Sequence, residues 1–215
     1  MKNYKKYIFD LDYTLLIPNW SREDDYFKKN IVAEEQEEFF KQKQDIINSY
    51  EAEYPKYDYK SLSKHFENYG FHLSEDVIKS WVNFNGATIK DEIPDGVIDL
   101  FNYLKKQKKE IVILTYWFEK MQMPRLQKTG LAGYIDKLVT GEDAMKPSIE
   151  SFNIAIGDTK KEDCIMIGDS YEKDIQGAIN AGIDYYQIDD EHTIRDLYEM
   201  IKSVPEEPGT QKRLY

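Results

Sequence analysis

Cysteine is almost missing from this chain: Cys164 stands alone among 215 residues. An internal disulfide is therefore excluded, and a reducing, cytoplasmic setting is expected. Histidine is scarce too. His65, His72 and His192 share no ligand-like spacing, so a histidine-built metal site is not expected. No apolar run approaches the roughly 20 residues needed to span a bilayer, so no membrane partner is expected. The opening MKNYKKYIF has the basic-then-apolar order of a secretion signal. Asp10 and Asp12 break its apolar part at once, and a signal peptide is not expected. Positive charge is in deficit: 29 Lys and Arg against 40 Asp and Glu leave a net charge of -11. Nucleic acid is a poor partner for such a surface, because phosphate backbones need clustered cations. A small anion held at one local positive site remains compatible with it.

The length suits one domain, or one domain with a smaller insert. Short apolar runs read as buried strands at 7–11 (YIFDL), 110–115 (EIVILT), 164–169 (CIMIGD) and 185–188 (YYQI), with a weaker fifth at 137–140 (KLVT). Helical periods lie between them, at 96–106, 119–129, 148–156, 172–181 and 194–201. Strands alternating with helices predict an α/β fold, with a Rossmann-like parallel sheet. Residues 18–92 break this rhythm. They hold aromatic-rich helical stretches at 33–50, 59–69 and 74–84 and no convincing strand. The expected organisation is a core of 1–17 and 93–215 with an all-helical insert, 18–92, after the first strand. The last ten residues, EEPGTQKRLY, read as a frayed tail.

Four motifs carry chemistry. In YIFDLDYTLL, Asp10 and Asp12 are two apart, and alternate strand residues share a face. At a strand's C-terminal end both carboxylates can meet a crevice, where open α/β sheets hold ligands. Turn-forming aspartates are the plainer reading. In IGDSYEKD, a second apolar run ends in Gly168, Asp169 and Asp174. Carboxylates gathered at two strand ends repel one another unless a cation sits among them, and an all-oxygen set suits magnesium beside a phosphate. Thr115, where EIVILT ends, can offer its hydroxyl and the next backbone N–H to an anionic oxygen. Lys146 precedes the helix-starting Pro147 and can reach the crevice as a compact cation.

All four motifs, in this order, resemble the haloacid dehalogenase-like hydrolases, in their phosphatase branch. GDSYEKDIQGAINAG is especially close to the family pattern, as is the lysine-proline with Phe152 five residues on. The insert is similar to the helical cap that many members carry. The resemblance implies Asp10 as the nucleophile, forming an aspartyl-phosphate, and Asp12 as the acid and then the base. It implies Thr115 and Lys146 as holders of the phosphoryl oxygens; Tyr116, next to Thr115, is read as a further candidate at the substrate. The implied metal is Mg2+, with Asp10, Asp169, Asp174 and the backbone carbonyl of Asp12 around it. Thr14 would brace the loop, and Gly168 would allow close backbone approach. An acid at position 12 argues for phosphoryl transfer over carbon–halogen cleavage. Tyr116, Trp117 and Phe118 depart from the smaller polar residue that many members carry after the threonine, and read equally as a substrate wall or as packing under the cap. The expected substrate is a small phosphorylated metabolite, a nucleotide or a sugar phosphate, for a monomer or homodimer. A β-phosphoglucomutase-like phosphotransferase and a non-catalytic phosphometabolite-binding module stand as alternatives.

Overall fold

The structure, a computed structural model, describes residues 2–204; the tail at 206–215 lies outside the described residues. Five parallel strands form the main sheet in the order β5-β4-β1-β6-β7. They are β1 (Lys6–Phe9), β4 (Glu110–Leu114), β5 (Lys137–Val139), β6 (Cys164–Gly168) and β7 (Asp184–Gln187). The central strand β1 lies between β4 and β6, with Ile8 opposite both Val112 and Met166. Because it is covered on both faces, its side chains are buried throughout.

Side-chain alternation divides the core. Tyr7, Phe9, Ile111, Ile113, Ile165 and Ile167 face α5 (Val97–Lys106) and α9 (Ile194–Lys202). Ile8, Val112, Leu114 and Met166 face α7 (Ile149–Ile156) and α8 (Gln176–Ala181). Helix starts are locally encoded. The Ser148 hydroxyl accepts from the Ser151 N–H, and Thr193 and Asp196 cap α9 reciprocally. A π-turn, Tyr171–Ile175, precedes α8.

The segment after β1 holds four helices among the described residues: α1 (Glu23–Asn30), α2 (Gln36–Glu53), α3 (Tyr59–Asn68) and α4 (Glu75–Thr88). Phe27, Phe39, Phe66 and Trp81 are buried at its centre, with the Phe27 ring 4.7 Å from Phe39 and 4.9 Å from Trp81. This apolar cluster runs on into Phe118, Met121 and Met145 of the sheet domain. Two features go beyond the sequence reading. The helical segment is entered and left through an antiparallel ribbon of β2 (Ile17–Asn19) and β3 (Lys90–Glu92). Three residues per strand are too few to show period-two alternation, and Pro18 argues against a strand in sequence terms. Helix α1 buries only Tyr26 and Phe27, too little to display an apolar stripe. Among the described residues, no helix is long and apolar enough to cross a membrane.

Helices α4 and α6 (Glu119–Lys128) touch through a bare backbone at Gly86, where an added Cβ would lie 2.6 Å from the Lys120 carbonyl oxygen. Gly86→Ala is expected to force the two helices apart and destabilise the protein by about 1–3 kcal/mol, read as a lower urea midpoint.

Candidate active site

The C-terminal ends of β1, β4 and β6 converge on one cavity of about 540 Å³. Asp10 follows β1 directly, its N–H still bonded to the Ile167 carbonyl at 2.8 Å. Thr115 follows β4 and donates its N–H to Val139 at 3.0 Å. Asp169 follows β6, and Asp174 comes from the π-turn beyond it. The loop after Asp10 folds tightly on itself, with Tyr13 N–H bonded to Leu16 O at 2.7 Å and Tyr13 in the left-handed region at φ 62°.

Lys146 supplies the positive charge. Its buried ammonium donates to Asp10 Oδ1 at 2.5 Å and to Asp174 Oδ1 at 2.6 Å. Asp174 Oδ2 accepts the Ser170 N–H at 3.1 Å. Gly168 is required here, because a Cβ at that position would fall 2.3 Å from Asp174 Oδ2. Thr14, buried, donates to Asp169 Oδ1 at 3.3 Å. Asp10, Asp169 and Asp174 each offer a carboxylate oxygen within 4.8 Å of the others. Burial pushes the Asp10 carboxyl up to about 8; Asp174 and Asp12 push the same way, and Lys146 opposes them. Burial and the charge of Asp174 raise Asp169 as well. Burial pulls the Lys146 ammonium down, and Asp10 and Asp174 together more than offset it. Three carboxylates against one ammonium leave a deficit of positive charge. An all-oxygen donor set with that deficit fits a hard divalent cation.

Asp12 lines the same cavity, but its carboxylate stands apart from this cluster. It accepts from Arg125 at 2.5 Å. Arg125 is wholly buried on α6 and also bonds Asp91 of β3, at 2.6 Å from one of its terminal nitrogens. Burial pulls its guanidinium down, and Asp12 and Asp91 more than restore it. Gln122, also buried, accepts from Arg125 at 2.8 Å and donates to Thr115 Oγ1 at 3.3 Å and to the Tyr116 carbonyl at 3.1 Å.

The aromatic run after Thr115 divides. Tyr116 and Trp117 line the cavity, whereas Phe118 is buried and stacks on Tyr59 of α3 at 4.1 Å. Tyr116 donates its hydroxyl to the Lys146 carbonyl at 2.5 Å, and the Lys173 ammonium lies 4.0 Å from its ring centre. The helical segment closes the cavity with Trp20, Glu23, Gln44, Ile47, Asn48 and Glu51. Of the aromatics in that segment, Phe27 and Phe39 are core, while Trp20 reaches the cavity.

Sequence reasoning misses Arg125, Gln122, Lys173 and Glu51. A signal for the first two exists. Phe118, Met121, Gln122, Arg125 and Leu126 follow the i, i+3, i+4, i+7, i+8 stripe of a buried helix face. Polar residues at two such positions must be partnered. Gln44, Ile47, Asn48 and Glu51 form a similar stripe on α2, facing the cavity.

The family model of the haloacid dehalogenase-like hydrolases matches residues 4–182. The chain belongs to this family. Pyrimidine 5'-nucleotidase YjjG of Escherichia coli (strain K12) is 38% identical over 93 residues, 41% of this chain and 41% of the relative. The chain thus spans about two fifths of that relative's length. Pyrimidine 5'-nucleotidase PynA of Streptococcus pneumoniae is 27% identical over 197 residues, 84% of this chain and 82% of the relative. Among solved structures, the magnesium-bound HAD-hydrolase YfnB of Bacillus subtilis has the same fold, with a TM-score of 0.61 at 21% identity, covering 93% of this chain and 99% of that one.

Lys146→Met would leave Asp10 and Asp174 facing each other without their shared cation. It is expected to cost about 3–5 kcal/mol at neutral pH in chelator, measured by urea unfolding.

Proposed function

We propose that this chain is a phosphatase acting on a small phosphorylated metabolite, with a nucleoside monophosphate as the best-supported substrate. One observation carries the reading: Asp10, at the end of the central strand, shares a cluster with Lys146, Asp174 and the half-buried Asp169, while Asp12 is held separately at the same cavity. On this reading residues 18–92 cap a core of 1–17 and 93–215. The two nucleotidase relatives favour a nucleotide. So do the cavity's tryptophans, Trp20 and Trp117, and the amides of Gln44 and Asn48. Flat apolar faces suit a base, and amides can read its donors and acceptors.

The chemistry follows from the residues. An Asp10 carboxylate oxygen attacks phosphorus in line with the ester oxygen. The phosphorus–ester bond breaks, and Asp12 gives its proton to the departing alkoxide. The mixed anhydride on Asp10 is then opened by water, whose proton passes to Asp12, releasing phosphate and restoring both carboxyl groups. Lys146 and the Thr115 hydroxyl stabilise the equatorial phosphoryl oxygens. Asp10, Asp169 and Asp174, with the Asp12 carbonyl, would hold Mg2+, which supplies charge neutralisation at the phosphoryl group. A bisphosphate mutase is less well supported. The cations lining the cavity are Lys146 and Lys173, and each is already paired, with Asp10 and Asp174 or with Glu51. A second phosphate would have to displace one of these pairs.

The test is phosphate release from uridine 5'-monophosphate and from an aryl phosphate. Turnover is expected with magnesium, none with chelator, and a loss of roughly 10³-fold or more in Asp10→Asn. Magnesium-independent turnover that survives Asp10→Asn would discard the mechanism. Tight binding of the nucleotide without turnover would instead favour a binding module.

A further inference from the structure

We propose that Arg125 is a positioning residue that acts through Asp12, fixing the carboxylate that moves the proton and tying it to the β2–β3 ribbon. The inference rests on the reading of Asp12 as acid and base given above.

The Arg125 side chain has no exposure to solvent, so its place is not that of a surface ion pair. Its donors are all directed inward. Nε reaches both oxygens of Asp91, at 3.2 and 3.1 Å. One terminal nitrogen bonds Gln122 Oε1 at 2.8 Å. The other is shared between Asp91 Oδ1 at 2.6 Å and Asp12 Oδ1 at 2.5 Å. A purely structural pair would be complete with Asp91, whose side chain is 1% exposed. The extra bond goes to a carboxylate that is 19% exposed and opens on the cavity. Trp20, from the end of the ribbon, covers the guanidinium with its ring centre 5.6 Å away.

A guanidinium presents its N–H groups in a fixed planar fork, so two partners held at once determine the direction of the third. Asp91 and Gln122 thereby fix where the nitrogen facing Asp12 points. Without it, the Asp12 side chain could rotate on its loop, with Asp10 nearby as a repelling charge. A general acid misplaced by about 1 Å loses on the order of 10²-fold in rate. Through Gln122 the same side chain also steadies the Thr115 hydroxyl, though at a greater remove.

The experiment compares full-length wild type, Arg125→Lys, Asp91→Asn, Asp12→Asn, and each of the first two variants combined with Asp12→Asn. Two esters are used. Uridine 5'-monophosphate needs a proton on its leaving alkoxide, and 2,4-dinitrophenyl phosphate releases its phenolate unprotonated. Arg125→Lys should lower kcat on the nucleotide about 10²-fold with little change in KM. With the dinitrophenyl ester it should keep a rapid stoichiometric burst, followed by slow turnover, because water attack on the phosphoenzyme still needs Asp12. Added to Asp12→Asn, it should cost nothing further, since both act at one step. Asp91→Asn keeps an acceptor oxygen for the fork and should show the same pattern, reduced to roughly tenfold; it decides the matter if Arg125→Lys does not fold. Equal losses of burst and nucleotide turnover, or losses that multiply with Asp12→Asn, would overturn the inference while leaving the phosphatase reading intact. If the wild type shows no Asp10-dependent phosphate release at all, the phosphatase reading falls, and this inference with it.

Discussion

Lys146 sets its ammonium 2.5 Å from Asp10 and 2.6 Å from Asp174, almost without water, and the arrangement of the strand ends follows from that contact. A buried ion pair is not a device for stability, since removing charges from water costs about as much as their attraction returns. It persists where the charges have a task. Here one ammonium faces three carboxylates from two strand ends, and the remaining negative charge is of the sign that suits a cation. The same ammonium opposes the burial that pushes Asp10 toward its neutral form, without cancelling it.

The two aspartates of the first motif are separated by being paired with different cations. Asp10 answers to Lys146, from the loop before α7, and Asp12 answers to Arg125, from α6. Residues two apart in a chain begin with nearly the same surroundings. Distinct roles for two neighbouring carboxylates require distinct environments. The fold supplies these by sending one into a closed cluster and turning the other toward a partly open wall. Gln122 then joins the second arrangement to Thr115, so the proposed acid and the proposed phosphoryl-holding hydroxyl belong to one hydrogen-bonded unit.

What could be read in the sequence divides along the same physical line. The central strands β1, β4 and β6 are legible because a parallel sheet covered on both faces writes itself as short apolar runs, and Ile8, Val112 and Met166 show why. Asp10, Thr115 and Asp169 are legible because they interrupt or terminate such runs, and Asp174 because it follows Asp169 by five residues in GDSYEKD. The β2–β3 ribbon is not, because three polar or proline-containing residues per strand leave no period to detect. Arg125 and Gln122 are hidden for a different reason: polar helix residues are usually solvated, and only the apolar stripe around them reveals that they face inward. Glu51 and Lys173 meet from positions 122 residues apart, a pairing created by the fold alone.

The wall opposite the carboxylate cluster bears on selectivity. Its charged groups are already neutralised within the protein. Glu51 accepts from Lys173 and Tyr57, and Glu23 from Lys43, Trp81 and Asn85. What this wall still offers a ligand is the amide edges of Gln44 and Asn48, the side chain of Ile47 and the ring of Trp20. A leaving group with a second anionic centre would have to break an existing ion pair, whereas a neutral one with a flat face and hydrogen-bonding edges would not. On the proposed reading, discrimination therefore arises less from attraction to the right ester than from the cost of accommodating a doubly charged one.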